Sequence, residues 1–120
     1  MPVIAHAREV VEIAAVEAML AAGGRASFSD EERRYAASKS DESRRLAARW
    51  AAKLAAAQAL GGGILPEDVE IVRDYGAPYV RLSARAEARR LALGSPRVHV
   101  TLTHGLTHAA ASVVIETGPA

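Results

Sequence analysis

Apolar positions recur at helical spacing near the start of the chain: Val10, Val11, Ile13, Val16, Met19 and Leu20 share one side, and Gly23-Gly24 ends the run. The β-prone Val3-Ile4 before it suits a strand. Ser29 followed by Asp30-Glu31-Glu32 is a helix N-cap with acids in the first turn, predicting a short helix to about Ala37. Ser40-Asp41-Glu42 repeats the signal ahead of an Ala-rich stretch, Ser43 to Leu60. There Leu46, Trp50, Leu54, Ala57 and Leu60 lie on or near one face, and Gly61-Gly62-Gly63 stops the longest helix. Beyond the glycines the period changes. Val69 to Arg73 and Pro78 to Leu82 flank Asp74-Tyr75-Gly76-Ala77 and read as a hairpin. Ser83 caps a helix through Ala92, ended by Gly94-Ser95-Pro96. Val98, Val100 and Leu102 alternate with His99, Thr101 and Thr103, and Ala109 to Glu116 forms a last strand before a frayed tail, Thr117 to Ala120. The order predicts an α+β fold with an antiparallel sheet packed against a long central helix.

The length of 120 residues suits one domain, taken as residues 1–120. Fifteen Lys+Arg against fourteen Asp+Glu leave a net charge of +1, so no diffuse attraction to nucleic acid or anionic membrane follows and any basic site is local. The absence of Cys excludes disulfides, thiolate metal sites and a Cys nucleophile. The opening residues lack a basic segment followed by an apolar run, and no stretch approaches the roughly 20 apolar residues that span a bilayer, which predicts a cytoplasmic protein. Aromatic residues make up only 4%, so burial between subunits is expected to supplement a small core.

Polar groups able to do chemistry are sparse. Glu9 and Glu12 lie near the start, Arg49 and Lys53 one helical turn apart, and His104 and His108 about a Gly105 turn. Two His at this spacing share a metal-binding face on a helix, but not across a turn, and a hydrogen-bonded structural His is the commoner outcome. No phosphate-binding glycine loop, HExxH or Gly-x-Ser-x-Gly pattern occurs.

Taken in order, Phe28-Ser29-Asp30-Glu31-Glu32-Arg33-Arg34-Tyr35, Leu46 to Lys53, Ala59-Leu60-Gly61-Gly62-Gly63-Ile64, Asp68-Val69-Glu70-Ile71 and Val98 to His104 form a series across nearly the whole chain. The series resembles holo-acyl-carrier-protein synthases, the small trimeric members of the 4′-phosphopantetheinyl transferase superfamily. The resemblance implies an intersubunit cleft for coenzyme A, Mg²⁺ and a carrier protein. It also implies a metal held by an Asp near the N-terminus and a Glu directly after the helix Lys, with the strand-end His nearby.

Residue by residue, the chain departs from that pattern. Glu9 stands for the metal-binding Asp, and Leu54 for the Glu; a Leu offers no oxygen to a cation that requires oxygen ligands. Gln58 stands for a Lys expected near coenzyme A phosphates, and Ala15 for an Arg expected to meet the carrier protein. The glycine segment is short. Arg49, Lys53 and His104 remain. The reading favoured on these grounds is a homotrimer that has lost Mg²⁺-dependent transfer and uses no cofactor. It binds or transforms a polyketide- or fatty-acid-type intermediate, free or carrier-bound, in an apolar cleft. His104, Glu9 and Lys53 are then the expected catalytic residues, and Arg49, Trp50, Leu54, Gly61, Gly62 and His108 bind substrate. The alternative is an active 4′-phosphopantetheinyl transferase using coenzyme A and Mg²⁺, with Glu9 on the metal. A non-catalytic scaffold for an acyl carrier protein is the third.

Overall fold

Strand pairing overrides helical spacing at the first element. In the computed structural model, which describes residues 2–73 and 76–117, β1 (Val3–Glu12) runs antiparallel to β5 (His108–Glu116), with Ala7 opposite Val113 and Glu9 opposite Ala111. The helix expected from Val10 begins only at Ile13, as α1 (Ile13–Ala21). The reason is a two-residue alternation hidden among alanines. Ala5, Ala7 and Val11 face the core, whereas Val10 is 66% exposed.

The next segments follow their caps. Ser29 starts α2 (Asp30–Ala37) with a reciprocal box: its hydroxyl accepts the Glu32 N–H at 3.1 Å, and the Glu32 carboxylate accepts the Ser29 N–H at 2.8 Å. The long helix α3 (Glu42–Leu60) ends where Gly61 takes φ 64°. β2 (Val69–Val72) and β3 (Tyr79–Leu82) pair antiparallel, while the turn positions Asp74 and Tyr75 lie outside the described residues. Ser83 caps α4 (Ala84–Ala92) by accepting the Ala86 N–H at 3.1 Å. β4 (Arg97–His104) then pairs with β5. The frayed tail is partly corrected: Thr117 donates its N–H to the Pro2 carbonyl at 3.0 Å, and residues 118–120 lie outside the described residues.

The strands form two sheets, a three-stranded one in the order β1-β5-β4 and the β2-β3 pair. Helix α3 lies across the larger one. Its Ala51, Ala52, Ala55 and Ala56 are fully buried, and their small side chains let the helix backbone approach Val113 and Ile115, themselves fully buried. Val98 and Val100, partly buried, pack against the same core. Among the described residues no helix is long and apolar enough to cross a membrane.

Candidate functional site

The first turns of α3 and the end of β4 enclose a cavity of about 390 Å³. Its lining combines Arg45, Ala48 and Arg49 from α3, residues 100–104 of β4, and Arg73, Ala77 and Pro78 from the β2-β3 connection. Three guanidinium groups and one imidazole therefore border a space with no carboxylate among its lining residues.

Arg49 is the unusual member. It is only 5% exposed, and among the described residues its Nε has no hydrogen-bond partner. Its guanidinium carbon lies 4.1 Å above the centre of the Tyr35 ring, an attraction that leaves Nε unsatisfied. Burial pushes the guanidinium below its ordinary pKa, with Tyr35 and Glu32 opposing. A buried, under-satisfied cation at a cavity wall is a receptor for an anion.

Tyr35 and Asp41 extend the cluster. Arg45 donates Nη1 to the Tyr35 hydroxyl at 3.2 Å and Nε to Asp41 Oδ1 at 2.9 Å. The other Asp41 oxygen, Oδ2, faces His104 Nε2 at 3.7 Å. Burial alone would raise the Tyr35 hydroxyl, but Arg45, Arg49, Arg73 and Lys39 bring it below its ordinary pKa. The Asp41 carboxyl is held low by the Arg45 hydrogen bond.

Lys53, one turn beyond Arg49, has another setting. Its Nζ donates to Glu32 Oε1 at 2.8 Å and to the Val69 carbonyl at 2.6 Å, and the residue is 1% exposed. The second Glu32 oxygen accepts the Ile71 N–H at 2.9 Å. An ammonium so engaged ties α2, α3 and β2 together and does not line the cavity that Arg49 borders.

Of the residues expected at the site, the structure brings Arg49 and His104 together in the cavity and leaves the others apart from it. Glu9 is half-buried on β1, and Leu54 half-buried on α3. Trp50 packs on Phe28, ring centres 5.9 Å apart, and does not line the cavity that Arg49 borders. Gly61 and Gly62 lie against the Arg89 side chain. His108 borders a separate hollow of about 330 Å³ with Glu12, Glu17 and Leu106. Sequence reasoning missed Tyr35, Asp41, Arg45 and Arg73. The signal available was the four-residue spacing Asp41-Arg45-Arg49 on one face of a helix.

The donor set does not fit a Mg²⁺ ion held by protein carboxylates. Position 54 offers only hydrocarbon, and among the described residues no group of three His, Asp or Glu side chains converges as a metal site.

No protein-family model matches the chain. It is 40% identical over 121 residues to a holo-[acyl-carrier-protein] synthase of Anaeromyxobacter sp. strain K, covering 92% of this chain and 94% of that protein. A holo-[acyl-carrier-protein] synthase of Nitratidesulfovibrio vulgaris is 51% identical over 76 residues, a match spanning 59% of this chain and 61% of the relative's length. Among solved structures, the Mycobacterium tuberculosis acyl carrier protein synthase superposes with a TM-score of 0.74 at 32% identity, over 98% of this chain and 100% of that one. The Bacillus anthracis holo-(acyl-carrier-protein) synthase, solved in complex with CoA (3′,5′-ADP), gives 0.75 at 26% identity, over 97% and 98%. With an α+β fold shared along its length and 40% identity to a relative it covers almost fully, the chain belongs to the holo-acyl-carrier-protein synthase family.

Proposed function

We propose that this chain, acting as one domain over residues 1–120 and as a homotrimer, is a 4′-phosphopantetheinyl transferase. Its donor is coenzyme A and its acceptor a serine of an acyl carrier protein. The observation that carries this reading is the buried Arg49, unsatisfied at Nε, on a cavity that Arg45, Arg73 and His104 also line. A nucleotide phosphate supplies the acceptors that Arg49 lacks, with geometry suited to guanidinium forks. The coenzyme A complex of the Bacillus anthracis relative supports the ligand. The names of the relatives favour an active transferase over the lost-activity reading.

In the reaction the serine oxygen forms a bond to the phosphorus next to pantetheine, the phosphoanhydride bond breaks, and 3′,5′-ADP leaves with the electron pair. Arg45, Arg49 and Arg73 hold the anionic nucleotide and oppose the charge that builds on it. His104, the one imidazole on the cavity, takes the serine proton. Each step uses groups of this chain and substrate atoms only.

Leu54 supports a second reading, in which transfer is lost and the cleft serves a biosynthetic intermediate. The experiment is incubation of the protein with coenzyme A and an apo carrier protein, with and without Mg²⁺, followed by mass spectrometry and calorimetry. Transfer is expected to add the phosphopantetheine mass, and Arg49→Met to weaken coenzyme A binding roughly 10- to 100-fold, the worth of a charge-assisted hydrogen bond. Bound coenzyme A with no mass increase, restored by Leu54→Glu, favours the second reading. Wild-type protein that neither binds coenzyme A nor modifies the carrier refutes the first.

A further inference from the structure

Asp41 breaks a local rule at the site. It occupies the N-cap of α3, where an Asp side chain ordinarily accepts a backbone N–H of the first turn, yet its carboxylate makes no such bond. One oxygen takes Arg45 Nε at 2.9 Å and the other faces His104 Nε2 at 3.7 Å. Arg45 holds this carboxyl below the usual range, so it is ionised near neutrality. A negative charge beside a cavity lined by Arg45, Arg49 and Arg73 works against an anionic ligand. The carboxylate thus forgoes a helix cap and opposes the binding its neighbours favour. Its position is accounted for by what it does to the imidazole.

We propose that Asp41 is a positioning residue for His104. With Oδ1 taken by Arg45 Nε, Oδ2 stands 3.7 Å from His104 Nε2, an electrostatic contact longer than a hydrogen bond that draws the Nε2 edge of the ring toward the carboxylate and leaves Nδ1, on the other edge, to accept a proton. Arg45 is fixed in turn by the Tyr35 hydroxyl at 3.2 Å, so the orientation of His104 is anchored through Asp41 and Arg45 to α2. Orienting a proton-transferring His by a neighbouring carboxylate is a recurrent device of acid-base catalysis. The consequence for transfer rests on the transferase reading; the geometry of the imidazole does not.

The test is Asp41→Asn, which keeps an acceptor for Arg45 and remains a good N-cap while removing the charge. Three quantities are compared with wild type: coenzyme A affinity by calorimetry, kcat for transfer to a carrier protein, and the ¹⁵N imidazole shifts of His104, assigned with His104→Gln. Affinity is expected to stay equal or tighten up to a few-fold, kcat to fall roughly 10- to 100-fold, and the His104 signals to move as the ring loses its charged neighbour. A role confined to the helix end predicts unchanged kcat and unchanged His104 shifts in Asp41→Asn and in the equally cap-competent Asp41→Ser; that result overturns the proposal. So do unchanged His104 shifts, whatever the rate. If wild-type protein transfers nothing, the transferase reading fails alone, and the ¹⁵N comparison still decides the role of Asp41.

Discussion

Replacing Lys53 by Met removes the ammonium that neutralises a buried carboxylate. The pair has side-chain exposures of 2% and 0%, and its contacts join three elements: the Ser29-Glu32 capping box of α2, the middle of α3, and both strand-edge groups of β2 at Val69 and Ile71. After the change, Glu32 keeps the Ser29 and Ile71 N–H donors but loses its counter-charge, and the Val69 carbonyl loses its donor. Breaking a buried pair from one side costs about 3–5 kcal/mol, a large part of the roughly 5–15 kcal/mol that holds a domain folded. For a chain of this size the melting temperature is expected to drop by roughly 10–20 °C. Urea unfolding followed by circular dichroism measures the loss, with an unchanged denaturant slope showing that the native state is otherwise intact. The double variant Glu32→Gln with Lys53→Met should lose less than the sum of the single changes, since no uncompensated charge stays buried. Coenzyme A affinity measured below the transition should match wild type. A Lys53→Met protein within about 1 kcal/mol of wild type, or one of normal stability that no longer binds coenzyme A, would refute the structural assignment and return Lys53 to the site.

Acid stability tests the junction between β2 and α4. The Asp68 carboxyl is held down to about 2 by the Leu65 N–H, Arg85 and the Ser83 hydroxyl against the effect of burial. Its folded value lies below the unfolded value of about 3.9, so its contribution is complete above about pH 4 and disappears as pH falls through about 2. Asp68→Asn should flatten the decline of urea stability across that window, and an unaltered slope would show that other carboxylates carry it. Gly62 tests the turn after α3: its φ is +63°, and a Cβ would come within 2.6 Å of Arg89 Nε. Gly62→Ala should destabilise by about 1–2 kcal/mol from backbone strain plus the clash, and adding Arg89→Ala should recover the clash alone, as urea midpoints would show.

Caps and glycines made most of the fold legible. Ser29, Ser83, Gly61 and Gly94 bound their helices where the pattern places them, because each acts through bonds within a few residues. The error at β1 has a different origin. Val10, Val11 and Ile13 satisfy a helical period and a strand period alike, and the deciding partner, Ala109 to Ile115, lies about a hundred residues away. Val113 and Ile115 are fully buried because α3 is alanine-lined there and leaves room for them. The division into two sheets was not legible, since alternation reveals strands without saying which of them pair.

The site was legible only in part, and the two cations of α3 show why. Arg49 and Lys53 are four residues apart on one helix and at least 95% buried, so composition, spacing and burial assign them the same role. What separates them is the partner each one meets. Lys53 points to Glu32 and the Val69 carbonyl, both inside the fold, and its charge is already paired. Arg49 meets an aromatic ring and the wall of a cavity, and its Nε is unmatched among the described residues. Those partners come from α2 and β2 and from the β2-β3 connection, none of them near in sequence. A buried charge is informative about function only after its hydrogen bonds are counted: complete, it is a fastener; incomplete at a cavity, it marks where an anion belongs.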